Sequence, residues 1–290
     1  MSEENTHGEA SSRRDFLKGL VAGGALAASP TLANAAPSQG GVLHVWSCGG
    51  LAEAMKPAHD VYMAKYGVTV AYTGAFAGAL GKSLLTGKGQ TDVFAGRVLA
   101  LAQNLRKAGK MQYFVPLCFT SYVIVTPKGN PSGIHALEDM GRPGVRVAMA
   151  PKASPPGSQS VMGILKNAGL TEAVMKNVLD RDASCIQRTI TEVTEGRADA
   201  MIVERRLTTD SRYKDHLEIV EIPESFFPPG PLTFTVGVMS SIQDKSLGDA
   251  YVKWITGPEG QAFFARVGFI PARSPKGEEL IEKLGVKDVA

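Results

Sequence analysis

Three cysteines, a few well-placed arginines and one glutamate are the side chains in this sequence with the most chemistry to offer. Cys48, Cys118 and Cys185 are widely spaced and odd in number, so a single disulfide would still leave a thiol over. No Cys-x-x-Cys pair occurs, and no histidine stands at zinc-finger spacing from a cysteine. A structural zinc site and a thioredoxin-like dithiol are therefore disfavoured. Arg97 follows the short apolar run of residues 92–95, which reads as a strand, and ligands gather at strand ends in open α/β sheets. Its guanidinium suits a carboxylate or an oxyanion. Glu204 ends a second apolar run and reads first as a partner for an arginine, and second as a ligand to a cation. Arg205 and Arg206 follow it, and ion pairing at the surface or between parts of the fold is their favoured role. Residues 155–160, Pro-Pro-Gly-Ser-Gln-Ser, feed a helical pattern. Exposed N–H groups there, with the hydroxyls of Ser158 or Ser160, favour an anion and equally serve as a cap.

Other chemistries are excluded by pattern. Gly81-Lys82-Ser83 lacks the glycine that a phosphate-binding loop needs five residues earlier, where Phe76 stands. There is no Gly-x-Ser-x-Gly elbow and no His-Glu-x-x-His helix, so neither nucleophilic nor zinc-dependent hydrolysis has its constellation. His44 sits inside a strand pattern and reads as a packed residue. The net charge is +3, and +4 once the three basic and four acidic residues of 1–35 are removed. That balance suits an anionic ligand and is too diffuse for nucleic acid. After residue 35 no uninterrupted apolar stretch reaches the roughly 18 residues of a membrane span.

The elements that must carry these groups form two α/β series. Residues 42–46 and 68–72 read as strands, with helical patterns after each, carrying Leu51, Met55 and Ala58, then Leu80, Leu84 and Leu85. With the strand at 92–95 this is the sequence form of a parallel layer. A strong strand at 121–125 ends in a turn-rich loop, residues 126–131. A second series follows: a strand at 145–149, helices at 158–168, 171–179 and 186–195, and strands at 200–203 and 217–222. A strand at 234–238 and a helical block from Leu247 through Phe264 close the pattern. Two lobes are expected, with the chain crossing between them: residues 36–118 completed by 236–290, and residues 119–235.

Residues 11–18, Ser-Ser-Arg-Arg-Asp-Phe-Leu-Lys, resemble a twin-arginine export signal. A short apolar stretch and Ala33-Asn34-Ala35 follow, the small-residue pattern that signal peptidase requires. The resemblance implies export of folded protein by the twin-arginine translocase, cleavage after Ala35 and a periplasmic location.

From residue 42 to 272 the order of motifs resembles the periplasmic molybdate-binding proteins of ABC transporters. Thr91-Asp92-Val93-Phe94, the loop Pro127-Lys128-Gly129-Asn130-Pro131, the segment 137–149, the stretch 195–203 and Tyr251 through Phe264 with Gly268-Phe269 carry it. The resemblance implies a type II solute-binding fold with a ligand cleft between lobes, no enzymatic activity, no cofactor, and a permease as partner. It implies a first ligand loop at Ser47-Cys48-Gly49-Gly50, a second around Phe76-Ala77-Gly78, and contributions from Pro156, Gly157, Ser158, Cys185, Ile186 and Glu204, with Arg97 added from its strand end. The family's loop hydroxyls are absent: Gly50 replaces a serine and residues 75–79 carry none. Molybdate or tungstate is the ligand class so implied. Cys48, Cys118 and Cys185 all fall on segments that can border the cleft, which makes a thiophilic metal or metalloid the alternative ligand; buried packing is their plainer role. An exported redox or cofactor-carrying enzyme, and a sensor that presents its closed form to a membrane kinase, are further alternatives.

Overall fold

Alternating and helical spacing of apolar residues resolve into two sheets, each with its own cores. A computed structural model describes residues 40–153, 157–228 and 232–288. β1 (Val42–Cys48) turns Leu43, Val45 and Ser47 inward on the two-residue period of a strand. α1 (Ala52–Tyr66) buries Met55, Ala58, His59 and Tyr62 and stops at Gly67, whose φ of 66° is a left-handed turn that glycine adopts without strain. β2 (Thr69–Ala75), α2 (Ala77–Leu85), β3 (Val93–Arg97) and α3 (Leu99–Lys107) follow.

The large sheet has the order β2-β1-β3-β8-β4-β9. Its first three strands are parallel, while β8 (Thr233–Met239), β4 (Met111–Phe119) and β9 (Ile270–Pro271) run antiparallel to their neighbours. One core packs β1, β3 and β8 against α1, α7 (Lys245–Ile255) and α8 (Pro258–Arg266), through Leu43, Tyr62, Val236, Tyr251 and Phe264. A second core holds Leu84 of α2 and Leu105 of α3 with Phe94 and Phe114.

The small sheet, β6-β5-β7, is antiparallel, made of β5 (Tyr122–Pro127), β6 (Met201–Glu204) and β7 (Leu217–Glu221). Alternation along β5 sends Tyr122 and Ile124 into a core with Ile164 of α4 (Gly157–Asn167), and Val123 and Val125 into a core with Ile190 of α6 (Ile186–Thr194). α5 (Thr171–Lys176) adds Val174 to the first of these, and α9 (Pro275–Leu284) packs Leu280 on Phe119.

Several expectations are corrected. The expected strand at 145–149 is only a pair of isolated parallel bridges at Val147, because its neighbours offer no ladder: Val178 belongs to no strand, and β6 starts only at Met201, after Ala200. Without it the second series builds an antiparallel sheet. The helical block expected from Leu247 to Phe264 breaks at Gly257-Pro258: Pro258 has no N–H to continue a helix and starts the next one instead. The helix expected through residue 179 ends at Lys176. β4 carries Pro116 in its interior, which hides it as a strand; the register shifts at Pro116/Cys118, beside the missing donor, and again at Met111/Tyr113. α3 and α9 are additional to the expected elements. Residues 1–35 and Pro156, for which roles are expected, lie outside the described residues. Among the described residues no helix is long and apolar enough to cross a membrane.

Candidate ligand site

Four strand ends meet where the chain passes from β4 of the large sheet to β5 of the small one. β1 ends at Cys48, β3 at Arg97 and β6 at Glu204, and β5 begins at Tyr122, paired in register with Glu204. Arg97 is 7% exposed and lies over the Phe234 ring, 5.3 Å from its centroid. Arg97 Nη1 donates to Glu204 Oε1 at 2.5 Å and its Nη2 donates to the Tyr122 hydroxyl at 2.9 Å. Arg206 Nε donates to Glu204 Oε2 at 2.6 Å, and its Nη1 donates to both oxygens of Glu53 at 3.0 and 3.2 Å. Glu53 lies in the first turn of α1.

Gly50 lies beside this closure: a Cβ there would stand 3.6 Å from the Arg206 guanidinium, an ordinary van der Waals distance, so an arginine arriving from the small-sheet side covers the place where a loop hydroxyl was expected. Val98, directly after Arg97, has φ 74°, a left-handed conformation that is costly for a β-branched residue. Its N–H donates to the Thr233 carbonyl, which ties the end of β3 to the start of β8.

Charge in the cluster is strongly biased toward ionised pairs. Burial by itself would raise the Glu204 carboxyl, but Arg97 and Arg206 with their hydrogen bonds overcome it and hold it at about 2. Burial likewise opposes the charge of Arg97, yet Glu204 beside it keeps the guanidinium protonated more firmly than usual. Burial, reinforced by Glu204, pushes Tyr122 up to about 12, against the hydrogen bonds from Ser160 and Arg97 that favour its ionised form. Tyr122 therefore stays a neutral hydroxyl.

A cavity of about 30 Å³ adjoins the cluster. It is lined by Gly157 and Ser158 in the first turn of α4, Ile186 in the first turn of α6, Tyr122, Glu204 and Arg206, among apolar neighbours. A cavity of this size has room for ordered water. Two helix N-termini and the Arg206 guanidinium on one cavity are groups that attract anions, and the Glu204 carboxylate in the same lining opposes them.

The expected site residues thus divide. Gly50, Arg97, Gly157, Ser158, Ile186 and Glu204 converge on the Arg206–Glu204 pair or its cavity. Gly49 lies beside the second loop: a Cβ there would stand 3.6 Å from the Ala75 carbonyl, and its neighbour Cys48 pairs with Ala75. Phe76, at the N-cap of α2, is 49% exposed and its ring covers Gly78. Ala77 is buried in the first turn of the same helix. Ser47 is fully buried: its hydroxyl donates to the Cys48 carbonyl at 3.0 Å and bonds the Tyr72 hydroxyl at 2.7 Å, so it is a support for the loop and not a ligand group.

The three thiols do not gather on one site. Cys185, capping α6, is exposed and faces Gln187 in a separate, open pocket with Asp180, Asp182 and Arg188. Cys118 is fully buried in the core of the large sheet, and Cys48 packs against that same core. Burial raises the pKa of Cys48 and, more strongly, of Cys118, where the nearby Cys48 adds to the effect. Both are therefore protonated as free thiols, and thiolate ligation there has to displace the proton against the effect of burial. Among the described residues no group of three or more His, Cys, Asp or Glu side chains is placed to hold a metal ion.

Glu53 and Tyr122 escape the sequence reading, since no local pattern marks either as a partner in the cluster. Arg205, for its part, pairs with Glu221 as a partly exposed ion pair.

The model for bacterial extracellular solute-binding proteins matches residues 43–270. A sulfate-binding protein from Synechococcus elongatus is 32% identical over 169 residues, which cover 51% of this chain and 46% of that relative; the chain thus spans about half the length of that relative. The molybdate-binding protein of Mycobacterium tuberculosis is 27% identical over 264 residues, covering 88% of this chain and 94% of the relative. The solved periplasmic molybdate-binding protein of Azotobacter vinelandii superposes with a TM-score of 0.60 at 14% identity, over 79% of this chain and 98% of that one. That likeness shows a shared two-lobed α/β fold. Because the family match runs through both sheets and through every segment that borders the Arg97–Glu204–Arg206 cluster, the chain belongs to the bacterial extracellular solute-binding protein family.

Proposed function

We propose that the protein captures a small tetrahedral oxyanion of the molybdate, tungstate or sulfate type outside the cytoplasmic membrane and delivers it to an ABC permease. The observation that carries this reading is the cavity on which the first turns of α4 and α6 and the Arg206 guanidinium converge. Backbone N–H groups at helix starts bind oxyanions without a dedicated cation, and a nearby guanidinium strengthens the site. The names of the sulfate- and molybdate-binding relatives support the same ligand class. The lobes of this reading are residues 36–118 with 236–290, and residues 119–235, rotating about the crossovers between them.

Calorimetry tests it. Ligand-free residues 36–290, titrated with molybdate, tungstate and sulfate, are expected to bind at least one with a Kd of about 1 µM or tighter. No heat with any of the three overturns the reading. The thiophilic alternative has little geometric support, because Cys185 faces a pocket of its own while Cys118 lies in the large-sheet core and Cys48 packs against it.

Export through the twin-arginine route belongs to the same proposal and is tested separately. Changing Arg13→Lys together with Arg14→Lys is expected to leave full-length precursor in the cytoplasm, visible by fractionation. Unchanged export would remove the twin-arginine route and leave the binding function untouched.

A further inference from the structure

The cavity beside Arg206 changes character with depth. Every residue on it comes from the stretch 122–207, so it is built within the small-sheet half of the chain alone. Along α4 the lining passes from Gly157 and Ser158 in the first turn to Val161, roughly 4.5 Å further along the helix axis. Along β6 it passes from Glu204 at the strand end back through Val203 to Ile202, roughly 6–7 Å away. Val161 and Ile202 meet in one apolar core, so both walls lead to the same inner end. Tyr122 belongs to the outer end, because it pairs in register with Glu204. The remaining lining includes the buried Met149 and Met201 and carries no further polar side chain apart from Arg206. Among the described residues, no buried side-chain atom left without a hydrogen bond lies on this cavity. A water at the inner end therefore has no side-chain partner, where an ordered water needs two or more. An anionic oxygen there gives up its hydration with nothing in return. A hydrocarbon group has no such loss and gains by its burial. With a volume of about 30 Å³, the cavity has room for roughly two water-sized groups, the bulk of an ethyl group.

We propose that the site takes a tetrahedral oxyanion of the sulfonate type carrying one short alkyl group, with its oxygens toward Arg206 and the first turns of α4 and α6 and its carbon atoms in the apolar inner end. The inference rests on the oxyanion reading above and deepens it: the head group is kept, and one of its four oxygens is replaced by carbon. Attraction by Arg206 and the helix starts, and repulsion by Glu204, all act on the charged head. The alkyl group is read by Val161, Ile202, Met149 and Met201 through shape and burial alone.

A series of one head and graded chain length reads the effect by calorimetry on the ligand-free protein: methane-, ethane-, propane- and butanesulfonate. All four carry a single charge, so the contributions of Arg206, Glu204 and the helix starts cancel in the ratio of any two members. Each CH2 that enters the inner end is expected to tighten binding about fourfold, so ethanesulfonate binds about fourfold more tightly than methanesulfonate. The gain is expected to stop before butanesulfonate, for which the cavity has no room. Val161→Leu, which fills the inner end, is expected to bring the ethane-to-methane ratio to about one. Val161→Ala, which widens it, is expected to move the optimum to a longer chain. The series in the parent protein decides the matter even if neither variant folds. Affinity that is flat or falls at the first added carbon, that keeps rising through butanesulfonate, or that ignores both Val161 changes overturns the alkyl assignment. Binding of sulfate or molybdate with no heat from any sulfonate overturns it as well, and each of these results leaves the oxyanion reading standing. Silence with sulfonates and inorganic ions alike overturns the oxyanion reading, and the alkyl assignment falls with it.

Discussion

Changing Arg97→Met is expected to destabilise the folded protein by about 3 kcal/mol, at the lower end of the range for losing one member of a buried ion pair. Methionine fills much of the guanidinium's space against Phe234 but leaves Glu204 Oε1 without its cation, while Arg206 still serves Oε2. Urea denaturation monitored by fluorescence measures the loss. The double variant Arg97→Met/Glu204→Gln is expected to recover a good part of it, since the second change removes the stranded charge. Simple additivity of the two losses would show that the pair is not the source of the effect.

The same pair predicts how stability falls in acid. Glu204 has a lower pKa in the folded chain, about 2, than the ordinary 4.5 it regains on unfolding. Below pH 4.5 the unfolded chain therefore takes up the proton first, and stability contributed by Glu204 is lost as pH falls from about 4.5 toward about 2. The contribution is complete above that window. In Arg97→Met this acid limb is expected to be shallower, because one of the two charges that depress the carboxyl is gone.

A second large effect is expected from His59, at a higher and separable pH. His59 is 3% exposed, its Nε2 shares a 2.7 Å hydrogen bond with the Tyr251 hydroxyl, and its Nδ1 has no partner among the described residues. Its ring meets the edge of Tyr72, whose hydroxyl steadies Ser47 at the start of the first loop. Burial disfavours the imidazolium and lowers the pKa to about 4 from 6.5. Between these values the unfolded chain binds a proton that the folded chain refuses. Stability is therefore lost as pH falls from 6.5 to about 4, by on the order of 3 kcal/mol. Urea midpoints measured across this range should fall in the parent and stay nearly level in His59→Gln. The slope is the readout, because the substitution also disturbs the Tyr251 contact at every pH. Parallel slopes in the two proteins would place the titrating group elsewhere.

What could be read from the chain alone was whatever depends on neighbours in sequence. Residues 121–125 are a strand because successive side chains point to opposite faces, and the structure sends Tyr122 and Ile124 one way and Val123 and Val125 the other. The helical spacing of Met55, Ala58 and Tyr62 marks a buried stripe for the same kind of reason. Arg97 could be suspected because it follows a strand, and Glu204 because arginines follow it. These are consequences of backbone periods of about 2 and 3.6 residues, which any short window of sequence records.

The partners could not be read in this way. Glu53 and Arg206 are 153 residues apart, and Arg97 and Glu204 are 107 apart, so their meeting depends on how β3 and β6 end on either side of the crossover. Ser47 looks like a ligand hydroxyl until the pleat of β1 turns it toward Tyr72. The three thiols look poised for one ion until packing draws two of them into the large-sheet core and leaves the third on an exposed cap. Strand order, inward or outward facing, and the balance of buried charge are properties of the assembled chain. They are decided by long-range packing, where a carboxylate taken out of water must find a cation wherever the fold can bring one.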